Sequence, residues 1–449
     1  MKKLAFLLAV CICFSALCLN LASCGPEPVA GGSYEAEAGN KFSFLFSGLD
    51  RNDLSHPAAQ AMKQFETDTG RTIDFATSGY DETEQKLVAA VASGKPYDLI
   101  HAGAANFPYM AVIGYVQDVA PYCNMEDANL DRDIMDDLFS YNGKIYGVSP
   151  ANNAKPLVVF YNENMFTDEG VDTPDVYYEN GNWNFDKFKE VAMKFTKDTN
   201  GDGAYDRWGV ACWYQYAFFS GTGGSVCTIN EKGEYEVKMS GNAQLQEALE
   251  LIQSGWGTDN WIGCEGDDIN QSFFQGKNAM LCDYSWSDIV IYEAKAAGTM
   301  SFDYGVVPFP YGSTNTKKTN SCFADGFAIM DGCDAPYTAG KLIEYLMDAY
   351  VKDAKADNDK LDPDHVTLYQ ELTRNIFNAT QFDSAVDSGT ELCGAVASNA
   401  MNIQQAIETY EPVYTKMAKN ANKKMAKKQE ELKSAAAAAD AASGETDGE

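Results

Sequence analysis

Arginine is scarce in this chain of 449 residues: there are five, at Arg51, Arg71, Arg132, Arg207 and Arg374. A bidentate clamp for carboxylate or phosphate therefore has few donors to draw on. Histidine is scarcer still. His56, His101 and His365 lie far apart and match no zinc motif. Neither a G-x-S-x-G elbow nor a G-x-G-x-x-G fingerprint occurs, so nucleophilic-serine and dinucleotide chemistry lack sequence support. A paired-carboxylate glycosidase stays open, because such pairs form in space and not in sequence. Basic stripes interrupted by aromatics are missing from a chain of net charge −31, which excludes a nucleic acid partner and favours neutral over anionic ligands. No short-period repeat points to a solenoid.

What is present begins at the N-terminus. Met-Lys-Lys precedes an apolar run from Leu4 to Leu21, and Leu21-Ala22-Ser23-Cys24 follows. The run is just long enough to span a bilayer. The small residues before Cys24 instead resemble the lipobox of bacterial lipoproteins, in which the cysteine is acylated after cleavage. Loss of Lys2 and Lys3 would take the net charge from −31 to −33. Residues 25–40, GPEPVAGGSYEAEAGN, read as a flexible tether that holds the folded part on the order of 20 Å from the membrane. Eight cysteines remain beyond the leader, and buried free thiols are the expectation, although disulfide pairing stays open.

Periodicity supplies the fold class. KFSFLFS, RTIDFATS and PYDLIHAG alternate as strands, and HPAAQAMKQFETDTG and DETEQKLVAAVASG carry helical spacing between them. Gly70 and Gly94 stop the helices, and Asp81 with Glu84 reads as a capping box. Strand–helix alternation implies a right-handed, mostly parallel α/β lobe whose ligand loops leave the carboxyl ends of the strands, at 48–53, 78–80 and 102–107. The pattern restarts near residue 156. The closing KSAAAAADAASGETDGE reads as a disordered low-complexity tail, and Lys416–Lys433 before it as a solvated basic helix face.

FFQGKNAMLCDYSW (Phe273–Trp286) resembles the F-x-x-G-K-x-A-M segment of family 1 extracellular solute-binding proteins, the sugar receptors of ABC transporters. FETDTG, GKPYDLI, YGVSPANNAKPLVVFYNENMF, FDYGVVPFP and FADGFAIM resemble further family segments in the same order, over residues 41 to 350. The resemblance implies a periplasmic-binding-protein-like fold, with two α/β lobes joined by crossover strands around a ligand cleft. Tyr146–Asn152 and Tyr304–Phe309 would be the crossovers. Residues 1–23 would be the leader, 24–40 the tether, 41–150 with 309–350 the first lobe, 151–308 with 351–430 the second, and 431–449 the tail. Such a protein is no enzyme. It would be a monomer on the outer face of the cell membrane, partnered by a carbohydrate and by permease subunits.

The same resemblance nominates the site. Trp286 would stack beneath a pyranose, whose C–H face is apolar and whose rim is polar. Asp283 and Tyr284 on the same strand end could meet hydroxyls, and Trp213 and Tyr214 a second sugar unit. Phe323, Asp325 and Gly326 start a strand at the cleft, where Asp325 could accept hydroxyls and Gly326 would let a ligand approach. Ser47, Asp50, Tyr80 and Asn106 hold the loop positions of the first lobe. Lys277 belongs to a turn and not to a phosphate loop, since Gln271 and Asn278 replace the glycine and hydroxyl that motif needs. DTNGDGAYD spaces Asp198, Asn200, Asp202, the Ala204 carbonyl and Asp206 like the first part of an EF-hand, but Gly209 stands where a bidentate Glu belongs and Arg207 where some relatives carry an acid. A structural calcium ion, or an Asx-turn without metal, are its two readings. No organic cofactor is implied.

Overall fold

The computed structural model describes residues 33–37, 42–79, 82–264, 268–378, 386 and 389–443. Cys24, Tyr80 and the apolar run Leu4–Leu21 lie outside the described residues. Among those described, no helix is long and apolar enough to cross a membrane.

The first lobe starts with β1 (Phe42–Ser47), α1 (Pro57–Thr69), β2 (Ile73–Ser78), α2 (Thr83–Ala92) and β3 (Leu99–Gly103). Pro57 opens α1 where its missing N–H costs nothing, the His56 ring accepts the Ala58 amide at 3.2 Å, and Gly70 closes the helix at φ 67°. The capping box expected of Asp81 and Glu84 rests on side chains outside the described residues. Glu82 precedes the helix without a side-chain cap bond. Thr83 turns its hydroxyl to Ser47, Ser78 and the Gly79 carbonyl. β1 pairs in parallel with both β2 and β3, so their carboxyl ends share one edge. A short helix, α3 (Tyr109–Val112), follows that edge.

The second lobe holds β4 (Lys155–Asn162), α4 (Phe185–Phe195), β5 (Trp208–Ala211), α5 (Ala243–Ile252), β6 (Asn278–Tyr284), α6 (Ser287–Ala296) and β7 (Tyr304–Pro308). Its sheet runs β7-β4-β6-β5, with β4 antiparallel to both of its neighbours. β4 and β6 are buried along nearly their whole length, which is why both read as continuous apolar runs. β8 (Cys322–Phe323) pairs with the start of β4, and β9 (Asp325–Ile329) joins the first lobe antiparallel to β3. α7 (Pro336–Asn358) packs on α1, α8 (Pro363–Leu372) on the second lobe, and α9 (Ile403–Ser443) ends the described chain.

The crossings differ in place from the sequence reading. Val148 still bridges Phe327, Pro150 bridges Leu130, and the Ala151 amide reaches the Asn129 carbonyl, all in the first lobe, so the outward crossing occupies residues 152–154. Tyr304–Pro308 does not cross, because it is β7 and pairs with β4. Tyr311 then bridges Asn184, and the Gly312 amide reaches the Gly221 carbonyl, so residues 309–321 stay with the second lobe. The return crossing is at Ala324, between β8 and β9. Spatial pairing decides this, and a lone apolar run carries no record of its partner.

α9 also departs from expectation. Ala406, Ile407, Tyr414, Ala418, Ala421 and Met425 bury one face at helical spacing. The basic stretch is not simply solvated: Lys424 donates to the Tyr109 hydroxyl at 2.8 Å, and Lys428 pairs with Asp331 at 3.3 Å. Helix persists through the alanine run to Ser443, where disorder was expected, because alanine has the highest helix propensity. Among the described residues no disulfide joins the eight cysteines, and five of them (Cys212, Cys227, Cys282, Cys322 and Cys393) are buried.

Candidate functional site

β6 runs Asn278–Tyr284 into the interior and stops at Ser285, leaving Trp286 at the N-terminal flank of α6. That strand end lies beside the start of β4 and beside β8, where the chain crosses between lobes. Trp286 is half-buried there. Its ring centre is 4.7 Å from that of Tyr284 and 5.2 Å, edge-on at 75°, from that of Phe323. Tyr214 approaches Tyr284 at 5.3 Å, and Tyr216 approaches Tyr214 at 5.7 Å. Five rings from three separate segments thus form one wall, and four of them were expected from sequence. Tyr216 was missed as a site residue. Its signal was the alternation in WYQY, two residues on from Tyr214.

Asp283 is behind this wall and not on it. The carboxylate is 2% exposed, accepts the Ser287 hydroxyl at 2.5 Å and its neighbour's amide at 2.8 Å, and also receives the Trp286 indole and the Tyr214 hydroxyl. Burial raises its pKa, and these four donors oppose the rise. Direct hydroxyl contact is therefore the wrong role for Asp283: it orients two rings through their polar tips. Tyr284 is also buried, and burial pushes its phenol up to about 12. Trp213, by contrast, is 55% exposed, the largest exposure among the big apolar side chains described.

The facing end of the first lobe is polar. Asp325 opens β9 opposite Gly103, accepting His101 Nε2–H at 2.7 Å on one oxygen and Asn153 Nδ2–H at 3.2 Å on the other. Burial works to raise its pKa, but the hydrogen bond and charge of His101, with Asn153, hold it below the usual carboxylate range. His101 stacks on Phe46 with centres 4.0 Å apart and planes 6° apart. Asn153 lies in the outward crossing and Asp325 directly after the return one, so this network ties the two crossings together. Sequence reasoning missed His101 and Asn153, since nothing local marks residues 224 and 172 positions from their partner.

Three other candidates take different places. Gly326 is demanded by packing: a Cβ there would sit 2.4 Å from the Phe139 ring and 2.8 Å from the Ala102 carbonyl. Ser47 is buried and committed to Thr83 at 2.6 Å. Asp50 is exposed, accepts the Asn52 amide, and lines a cavity of about 610 Å³ with Arg51, Phe75, Glu82 and Lys86. Asn106 ends a 3₁₀ turn after β3 and is half-buried.

The DTNGDGAYD loop turns its short polar side chains onto its own amides. Asp198 accepts the Gly201 and Gly203 amides, Asn200 the Asp202 amide, Asp202 the Ala204 amide, and Asp206 the Thr199 amide and hydroxyl. Arg207 turns away to Glu169 at 2.7 Å. Among the described residues no group of three or more His, Cys, Asp or Glu is placed to hold a metal ion. These hydrogen bonds are those of an Asx-turn, and a calcium ion would have to share the same side-chain oxygens.

Two lobes, two crossings and a wall of rings beside them are the architecture of a ligand trap. The family model for bacterial extracellular solute-binding protein matches residues 53–352. This chain belongs to that family. Solved structures share the fold of this solute-binding protein. An ABC substrate-binding protein, Lmo0181 from Listeria monocytogenes in complex with cycloalternan, superposes with TM-score 0.64 at 19% identity, covering 86% of this chain and 99% of that one. The maltose/maltodextrin-binding domain MalE from Bdellovibrio bacteriovorus, bound to maltotriose, gives 0.63 at 20% identity over 86% and 100%. The GacH receptor of Streptomyces glaucescens, solved unliganded and with acarbose, gives 0.62 at 17% identity over 85% and 99%. No curated protein matches the sequence of this solute-binding protein.

Proposed function

We propose that this solute-binding protein captures a neutral mono- or oligosaccharide between its lobes and delivers it to the permease of an ABC importer, without altering it. Cys24 carries the lipid that anchors it outside the cell membrane. The observation that carries the ligand class is the aromatic wall. Trp286 is half-buried beside the crossings, braced edge-on by Phe323 and fixed through Asp283. An indole held this way offers a rigid apolar plate for a pyranose C–H face, at little entropic cost on binding. Exposed Trp213, next to Tyr214, extends the same surface.

Binding without turnover is supported by the state of two carboxylates at the site. Asp283 is buried behind the rings, and both oxygens of Asp325 are engaged by His101 and Asn153. Neither is poised as a free acid or base. Closure would follow from contacts that a ligand makes only when both lobes reach it. Titration calorimetry against a glycan panel tests the reading. Binding to at least one neutral glycan is expected; tight binding to peptides or polyamines with none to any sugar would refute the ligand class.

A further inference from the structure

Glu37 belongs to a stretch that reads as flexible tether, yet its carboxylate is 8% exposed and fully engaged. One oxygen accepts the Tyr337 amide at 3.0 Å. The other accepts the Thr338 amide and hydroxyl, each at 2.7 Å. These donors belong to the first turn of α7, where Ala335 offers no side-chain cap. Glu37 therefore supplies, from three hundred residues away, the cap and the negative charge that a helix N-terminus attracts. Arg71 closes the clip. Its guanidinium carbon is 3.9 Å from the centre of the Tyr34 ring, and it donates to the Tyr34 carbonyl at 2.5 Å and to the Thr338 hydroxyl. Tyr34 packs against the first-lobe core.

Strand direction fixes where this clip lies. β9 begins at the cleft with Asp325 opposite Gly103, and ends with Ile329 opposite Leu99, at the amino ends of the parallel strands. α7 starts shortly after, at Pro336, so residues 33–37 dock on the pole of the first lobe that faces away from the cleft. Residues 25–32 alone would then separate Cys24 from the clip, a span of about 25 Å if extended. Freeing the clip would add residues 33–41 and lengthen the reach to about 50 Å. Five residues held by a few hydrogen bonds open locally far more readily than the lobe unfolds.

We propose that residues 33–37 are a releasable clip that holds the anchored receptor with its cleft pointing away from the lipid surface. Its release lets the cleft turn toward a membrane-embedded partner. This rests on the lipid-anchored importer reading given above, and the test separates the two. In detergent-solubilised mature protein, hydrogen exchange at residues 33–37 reads the clip alone. Exchange at least tenfold slower than in Glu37→Ala is expected, and equal exchange overturns the clip. On a supported bilayer, neutron reflectivity reads the gap between lipid and protein. A gap that widens in Glu37→Ala and in Tyr34→Ala is expected, and equal gaps overturn the tethering role. Mass spectrometry of the N-terminal peptide checks the anchor: no diacylglycerol on Cys24 overturns the membrane half, while the exchange result still judges the clip.

Discussion

At the cleft end of the second lobe five aromatic rings form a wall with one buried carboxylate behind it, whereas at the same end of the first lobe one carboxylate stands among a histidine, an asparagine and the chain crossings. Both ends are built on an Asp, Asp283 and Asp325, and both use it to position other groups. The second lobe spends its carboxylate on orienting rings, and so presents area. The first lobe spends its own on joining the two crossings, and so presents geometry. A ligand that is flat on one face and hydroxylated at its rim needs the first of these; a trap that must close needs the second.

Trp286→Ala should break this division most severely. Loss of a central stacking ring is expected to weaken glycan binding by about 100-fold or more, roughly 2.7 kcal/mol, with little change in melting temperature. Calorimetry against the best ligand measures it. Asp283→Ala should do both kinds of damage, since it strands buried donors: about 2–3 kcal/mol of stability, together with about tenfold weaker binding as the indole loses its fixed setting. Asp283→Asn, which keeps some acceptors, should recover part of each. If either variant loses stability but binds unchanged, the positioning role fails.

The pH dependence sharpens the first-lobe side. Asp325 is held below its ordinary range, so its contribution is fully present above about pH 4 and is lost as pH falls through the depressed value. Asp325→Asn should flatten the acid limb of a melting-temperature profile. A second-lobe group gives the opposite sign. Burial works to lower the His365 pKa, but the hydrogen bond and charge of Asp288, at 3.0 Å, raise it. Its stabilisation is complete below about pH 6.5 and fades as pH rises through the raised value, so His365→Gln should flatten the neutral limb. The smallest effect concerns the DTNGDGAYD loop. An excess of chelator added to protein equilibrated with millimolar calcium is expected to leave the melting temperature unchanged, and a drop of several degrees would place calcium in that loop.

Much of this was legible in residue order. Alternation and helical spacing give both lobes, and FFQGKNAMLCDYSW leads directly to the strand that delivers Trp286. What stayed hidden depends on distance in the chain. Nothing near Asp325 announces His101, and nothing near Glu37 announces α7. The burial of Asp283 was equally hidden, because a strand end can face either way and only its neighbours decide. The calcium-like spacing leaves two readings for a related reason: short acidic side chains satisfy their own loop amides as readily as a cation.

Five thiols lie sealed in the interior, with no disulfide among the described residues. Burial pushes the Cys227 thiol up to about 12, and that of Cys282 also rises, so they resist alkylation while the fold holds. Each is thus a built-in timer. The pace at which reagent consumes them, one segment at a time, would chart which part of the molecule comes apart first.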